Sequence, residues 1–288
     1  MCFGVRDAIA LATQAAATQP LTVLGDLVHN ETVLARLRAE GIQFQSEAAA
    51  VSTPLVMITA HGASERKLTE TRRRGFRVIE ATCPLVHLAH QSLKKLVGEG
   101  FHPVIIGKRD HVEVRGMTED LAEFDVVLDE NEVTNLRELP RFGVMAQTTQ
   151  PIEKVRRLAQ LIRERFPKSE VRFVDTVCQP TKQRQNAAVE LARKSDVIVV
   201  IGGAHSNNTH ELVRTCSQFC ERVHHIQSAD DLHADWFRAD DTVGITAGTS
   251  TPDTVIGEVE LWLRDFSAHR AVHTNQTKET HELAFPIS

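Results

Sequence analysis

No run of apolar residues in this chain approaches the ~18 needed to span a bilayer. The longest, "DVIVVIGGA" (196–204), has the length of a buried strand. Arg6 and Asp7 interrupt any apolar start, so no signal peptide is expected. Basic charge is also scarce: 33 Lys and Arg stand against 38 Asp and Glu, a net charge of −5. Such a chain offers nucleic acid no positive field, and its one basic run, "TRRRGFR" (71–77), reads as a solvated helix end. Local cysteine pairs are missing as well. The five cysteines, at 2, 83, 178, 216 and 220, are odd in number and contain no CxxC. That argues against a disulfide framework and a zinc knuckle alike. The expectation is a cytoplasmic protein with reduced or metal-bound thiols and no membrane or nucleic-acid partner.

At 42% hydrophobic and 25% charged, the 288 residues have material for several cores. Helical periodicity marks 5–17, 31–41, 85–100, 151–166, 181–194 and 252–266. Gly41 ends the second of these as a cap, and Pro151 and Pro252 stand where a first turn tolerates proline. Short apolar runs alternate with them at 21–25, 55–59, 77–81, 103–107, 142–146, 171–175, 197–202 and 243–247. Continuous apolar strands between helices predict parallel sheets covered on both faces. The class is α/β.

A weak repeat overlies the alternation. "EATCP" (80–84) and "DTVCQP" (175–180) each end a strand with an acid, a cysteine and a proline. "AQTTQP" (146–151) and "TAGTSTP" (246–252) each end one with hydroxylated residues before a helix. Polar turns also follow strands at "TAHGAS" (59–64), "GKRDHVEV" (107–114) and "GGAHSNN" (202–208). Three α/β domains are expected, over 1–84, 85–178 and 179–270, with a polar tail over 271–288.

Ligands of open α/β sheets gather at the carboxyl ends of the strands, where these turns lie. Histidines 29, 61 and 111, with Ser206, Asn208 and Ser250, are candidate donors to a phosphate or diphosphate, helped by helix N-termini. Glu113 is a carboxyl placed to carry a proton, and Thr148 a hydroxyl placed to hand it on. Cys216 and Cys220, at i and i+4, read as a buried helix stripe, and "GGAHSNNTHE" as a loop before an Asn-capped helix. Cys2, Cys83 and Cys178 are different: Cys83 and Cys178 each follow a strand and precede a proline, and Cys2 precedes a glycine and a helix. If they meet, three thiolates suit a four-iron cluster with one iron lacking a protein ligand, a site for Lewis-acid and electron chemistry.

The stretches "CFGV" (2–5), "LVHNETVL" (27–34), "AHGAS" (60–64), "ATCPLV" (81–86) and "HVEVRGM" (111–117) follow one order. "MAQTTQ" (145–150), "DTVCQPTKQRQ" (175–185), "SNN" (206–208) and "GITAGTSTPD" (244–253) continue it. In that order and spacing the chain resembles the 4-hydroxy-3-methylbut-2-enyl diphosphate reductases, iron–sulfur enzymes of non-mevalonate isoprenoid synthesis.

The resemblance implies a trefoil of three pseudo-symmetric α/β domains around one [4Fe-4S] cluster held by Cys2, Cys83 and Cys178. It implies diphosphate binding by His29, His61, His111, Ser206, Asn207, Asn208 and Ser250. Glu113 would be the proton donor, Thr148 the hydroxyl beside it, and Thr181 a lesser candidate for the same pocket. The implied reaction is reductive dehydroxylation to isopentenyl and dimethylallyl diphosphate, with flavodoxin or ferredoxin as electron donor. Three departures stand out. Met1 directly precedes Cys2 where the family carries a strand and an Asn-Pro-Arg-Gly-type turn, so the natural start is expected upstream and the first strand missing here. Asn207 replaces a serine, and Val112 replaces a proline, which would loosen the turn between His111 and Glu113. A weakly active or non-catalytic redox-sensing relative is the alternative, and a metal-free phosphate-binding α/β protein is a third reading.

Overall fold

A computed structural model describes the backbone of residues 1–282 and the side chains of residues 1–269. The chain divides into two compact units, 1–185 and 186–288. The first holds two four-stranded sheets and the second a three-stranded one, all parallel.

In the first sheet the order is β2 (Gln43–Gln45), β1 (Leu21–Leu24), β3 (Leu55–Ile58), β4 (Arg77–Glu80). The second repeats it: β6 (Asp125–Val127), β5 (His102–Ile106), β7 (Arg141–Ala146), β8 (Glu170–Phe173). The third runs β10 (Arg222–Ile226), β9 (Val197–Ile201), β11 (Val243–Ala247), the same order without a fourth strand among the described residues. The repeat seen in the motifs is thus a repeat of topology.

Alternating residues of each central strand enter two cores, which is why the strands are apolar throughout. Val197, Val199 and Ile201 face one cluster with Val255 and Val259, while Ile198 and Val200 face another with Ala188, Leu212 and Cys216. Leu55 and Met57 join Ala8, Ala12 and Leu37; Val56 and Ile58 join Leu68. Helices α1 (Phe3–Ala16), α2 (Glu31–Ala39) and α3 (Glu65–Arg73) cover the first sheet. Around the second lie α4 (Pro84–Gly98), α5 (Val112–Thr118), α6 (Glu130–Thr134) and α7 (Ile152–Arg165). Helices α8 (Gln179–Ala192), α9 (Asn207–Cys216) and α10 (Asp253–Glu282) serve the third.

The sequence periodicity placed six of these helices and eight of the strands. It passed over β2 and β10, whose side chains are largely polar or half-exposed, β6, which is only three residues long although its two valines are buried, and the helices α3, α5 and α6. The cap of α9 is Ser206, which accepts from Thr209 N–H at 3.3 Å, rather than an asparagine. The polar tail expected over 271–288 begins inside α10, and residues 283–288 lie outside the described residues. Among the described residues no helix is long and apolar enough to cross a membrane.

Candidate active site

Within the first unit the chemistry-bearing turns all follow carboxyl ends of strands. His29 lies in the turn after β1, held by the next residue. Asn30 caps α2 by accepting from Val33 N–H at 3.1 Å. His61 follows β3, in a turn where Gly62 takes a φ of +76° that favours glycine. His111 follows β5 and caps α5: its Nδ1 accepts from Glu113 N–H at 3.2 Å. This bond closes the turn at Val112. It also fixes the tautomer, because an accepting Nδ1 leaves the proton on Nε2.

The three rings converge. His29 stacks on His61 with centroids 4.5 Å apart, and His111 meets them edge-on at 5.3 and 5.6 Å. They are the group of His, Cys, Asp and Glu among the described residues whose ligand atoms all lie within 4.8 Å of one another. Burial, and then the neighbouring rings, push His61 well below the usual imidazole range. Burial, the charge of His29 and that of Lys108 push His111 down to about 3. In the neutral state such rings offer N–H donors to an anion or lone pairs to a metal ion.

Glu113 is 1% exposed. Burial raises its carboxyl to about 7, against the opposing pull of two bonds from Thr148. Thr148 N–H donates to Oε1 at 2.6 Å and the Thr148 hydroxyl to Oε2 at 3.0 Å. With Oε1 committed as an acceptor, the proton of the neutral carboxyl belongs on Oε2, and in that form the bond to the hydroxyl reverses, Oε2–H donating to Thr148 Oγ1.

Cys2, Cys83 and Cys178 each stand immediately before a long helix, α1, α4 and α8, at ends whose N–H groups favour a thiolate. All three are half-buried. Cys83 Sγ lies so close to α1 that a Cβ on Gly4 would meet it at 2.6 Å. Burial raises the Cys83 thiol, opposed by N–H bonds from Leu85 and Val86, and the charges of Cys2 and Glu113 raise it further. Cys178 is raised in the same way: burial first, then Glu113 and Cys2, against bonds from Thr181. The three thiols and the carboxyl therefore share one neighbourhood. The three thiols are not among the side chains whose ligand atoms all lie within 4.8 Å of one another, as the histidines are.

Sequence reasoning missed the frame that holds these groups. The Thr176 hydroxyl donates to the Ala146 carbonyl at 2.6 Å and accepts the Ala146 N–H at 2.9 Å, which ties the segment leading to Cys178 to the end of β7. Gln147, fully buried, accepts from Lys108 N–H at 3.1 Å and from Gln150 Nε2 at 3.0 Å, tying the Thr148 loop to the His111 loop. Two glutamines flanking "TT" at a buried strand end were the available signal.

In the second unit Ser206, Asn207 and Asn208 open α9 after β9, and Ser250 follows β11, the neighbouring strand. Asn208 is 5% exposed, and the Nδ2 atoms of Asn207 and Asn208 are buried with no hydrogen-bond partner. Cys216 ends α9 in the core and Cys220 follows it, both buried.

A family profile described as LytB protein matches residues 1–264. The chain belongs to the LytB protein family. Among LytB relatives, the 4-hydroxy-3-methylbut-2-enyl diphosphate reductase of Geobacter sulfurreducens is 37% identical over 269 residues, covering 92% of this chain and 94% of that one. The enzyme of the same name from Campylobacter hominis is 33% identical over 261 residues, covering 90% and 93%. The LytB fold here matches a solved E-1-hydroxy-2-methyl-but-2-enyl-4-diphosphate reductase from Plasmodium falciparum, with TM-score 0.83 and 25% identity, over 92% of this chain and 84% of that one. A solved (E)-4-hydroxy-3-methyl-but-2-enyl diphosphate reductase, the terminal enzyme of the non-mevalonate pathway, matches at TM-score 0.65 and 31% identity, over 92% and 96%. LytB proteins are iron–sulfur enzymes.

Proposed function

We propose that this chain is a 4-hydroxy-3-methylbut-2-enyl diphosphate reductase that replaces the allylic hydroxyl of its substrate by hydrogen. The observation that carries the reading is the Glu113–Thr148 pair, a buried carboxyl raised to about 7 beside three convergent thiols. A sensor or a passive phosphate binder has no use for such a group.

Cys2, Cys83 and Cys178 would hold one [4Fe-4S] cluster, which when bound supplies two electrons and an iron without a protein ligand to polarise the C–O bond. His29, His61 and His111 bind the diphosphate as N–H donors. Ser206, Asn207, Asn208 and Ser250 are read as further donors, on the strength of the unpartnered Nδ2 atoms of Asn207 and Asn208. With its carboxyl raised to about 7, Glu113 is available in its protonated form near neutral pH. Its Oε2 proton, directly or through the Thr148 hydroxyl, goes to the departing oxygen, which leaves as water. Two electrons and a second proton, the latter from the bound diphosphate, complete the new C–H bond. Protonation at either end of the allyl unit gives isopentenyl or dimethylallyl diphosphate. Flavodoxin or ferredoxin would supply the electrons. The one-sheet-per-segment topology favours three domains, 1–84, 85–178 and 179–270.

The test is anaerobic turnover with a chemically reduced low-potential dye. The wild-type protein should convert the substrate to both isomers, and Glu113→Gln should not; wild-type rates in that variant would overturn the reading.

A further inference from the structure

We infer that Thr181 tunes the reduction potential of the iron–sulfur group by hydrogen-bonding the sulfur of Cys178. The inference rests on the reading of Cys178 as a cluster ligand. The Thr181 hydroxyl lies 3.0 Å from Cys178 Sγ, and the residue is fully buried in the first turn of α8. Its backbone N–H also reaches that sulfur. In the free thiol either partner can donate. A metal-bound thiolate has no proton, so there the hydroxyl has only one role, as donor.

The chain contains its own controls. Each of the three cysteines precedes a helix, and the residue three positions on is Val5 after Cys2, Val86 after Cys83 and Thr181 after Cys178. Cys83 Sγ receives backbone N–H groups of Leu85 and Val86, whereas Cys178 receives a side-chain hydroxyl as well. A donor to a ligand sulfur withdraws electron density and stabilises the more negative, reduced cluster. Burial strengthens that effect, since no water competes for the Thr181 hydroxyl. Thr181 is therefore a positioning and tuning residue rather than a catalytic one.

The experiment is a redox titration, followed by electron paramagnetic resonance, of anaerobically reconstituted protein. Thr181→Val makes the third site like the other two at nearly constant volume. It should bind as much iron and sulfide as the wild type but reduce at a lower potential. The expected change is about tenfold in the reduction equilibrium, or 59 mV for one electron. Thr181→Ser should keep the wild-type potential. An unchanged potential in Thr181→Val overturns the inference. If that variant fails to fold or to hold iron, Thr181→Ser and Thr181→Ala differ by the hydroxyl alone, and equal potentials in the two overturn it equally. A wild-type protein that takes up no iron and sulfide overturns instead the reading of Cys178, and the inference with it.

Discussion

Thr148 meets Glu113 through two hydrogen bonds, N–H to Oε1 at 2.6 Å and hydroxyl to Oε2 at 3.0 Å. The carbonyl of the same threonine accepts Cys178 N–H at 2.9 Å. One residue thus couples the candidate proton donor to a candidate cluster ligand. Removing the Thr148 hydroxyl leaves the backbone bonds intact. Thr148→Val should therefore retain its iron while losing turnover, by about 10–100-fold if the hydroxyl relays the proton. Glu113→Gln, which removes the proton itself, should lose about 10²–10⁴-fold. Anaerobic assays at saturating substrate, paired with iron determination, check both.

The raised carboxyl of Glu113 also has a sign in stability. Its folded value of about 7 exceeds the ordinary 4.5, so its contribution is fully present below pH 4.5 and is lost as pH rises through 7. In cluster-free protein, Glu113→Gln should match the wild type near pH 4 and exceed it above pH 7. The gap is roughly 3 kcal/mol at most, and denaturant unfolding at the two pH values measures it. A wild-type advantage at pH 8 would contradict the assigned burial.

For the histidines the sign reverses. His61 and His111 sit below the ordinary imidazole value in the empty site, because burial and mutual repulsion disfavour the charged rings. A bound diphosphate supplies the missing negative charge and lifts those values toward neutrality. Diphosphate binding should therefore take up protons, and its affinity should increase as pH falls from 8 to 6. Calorimetry in buffers of different ionisation heat reads the uptake directly. His111→Asn should reduce it.

Much of this site is legible in the sequence. Three cysteines before helices, Glu113 two residues after His111, and "TTQ" at a strand end are patterns that strand-end logic collects. The convergence is not legible, because it depends on tertiary contacts between distant residues. Gly4 illustrates the point: as a residue it is one glycine among 15, and only the 2.6 Å approach of Cys83 Sγ to its absent Cβ gives it meaning. The strands β6 and β10 were missed for a related reason. Pairing with β5 and β9 recruits them to the sheet although their own periodicity is weak.

That approach yields a prediction about cluster retention. A Cβ at position 4 would force Cys83 Sγ aside or move α1, and α1 carries Cys2 at its cap. Gly4→Ala has no adverse backbone demand, since Gly4 is helical and alanine is a better helix former. The variant should fold with normal helicity by circular dichroism yet retain markedly less iron after anaerobic reconstitution. Full iron content would show that Cys83 can move without cost to the site.

Asn208 offers the complementary test in the second unit. Its Nδ2 is buried without a hydrogen-bond partner, and an unmet buried donor costs about 1–3 kcal/mol. The fold tolerates that cost if the amide serves a bound anion. Asn208→Leu removes the unmet donor at similar volume, so the empty protein should become more stable. The same change removes a contact to the anion, so diphosphate should raise the melting temperature less than in the wild type. Thermal unfolding with and without diphosphate separates the two effects. A variant that is both less stable when empty and equally stabilised by diphosphate would assign the amide to the packing of α9 alone.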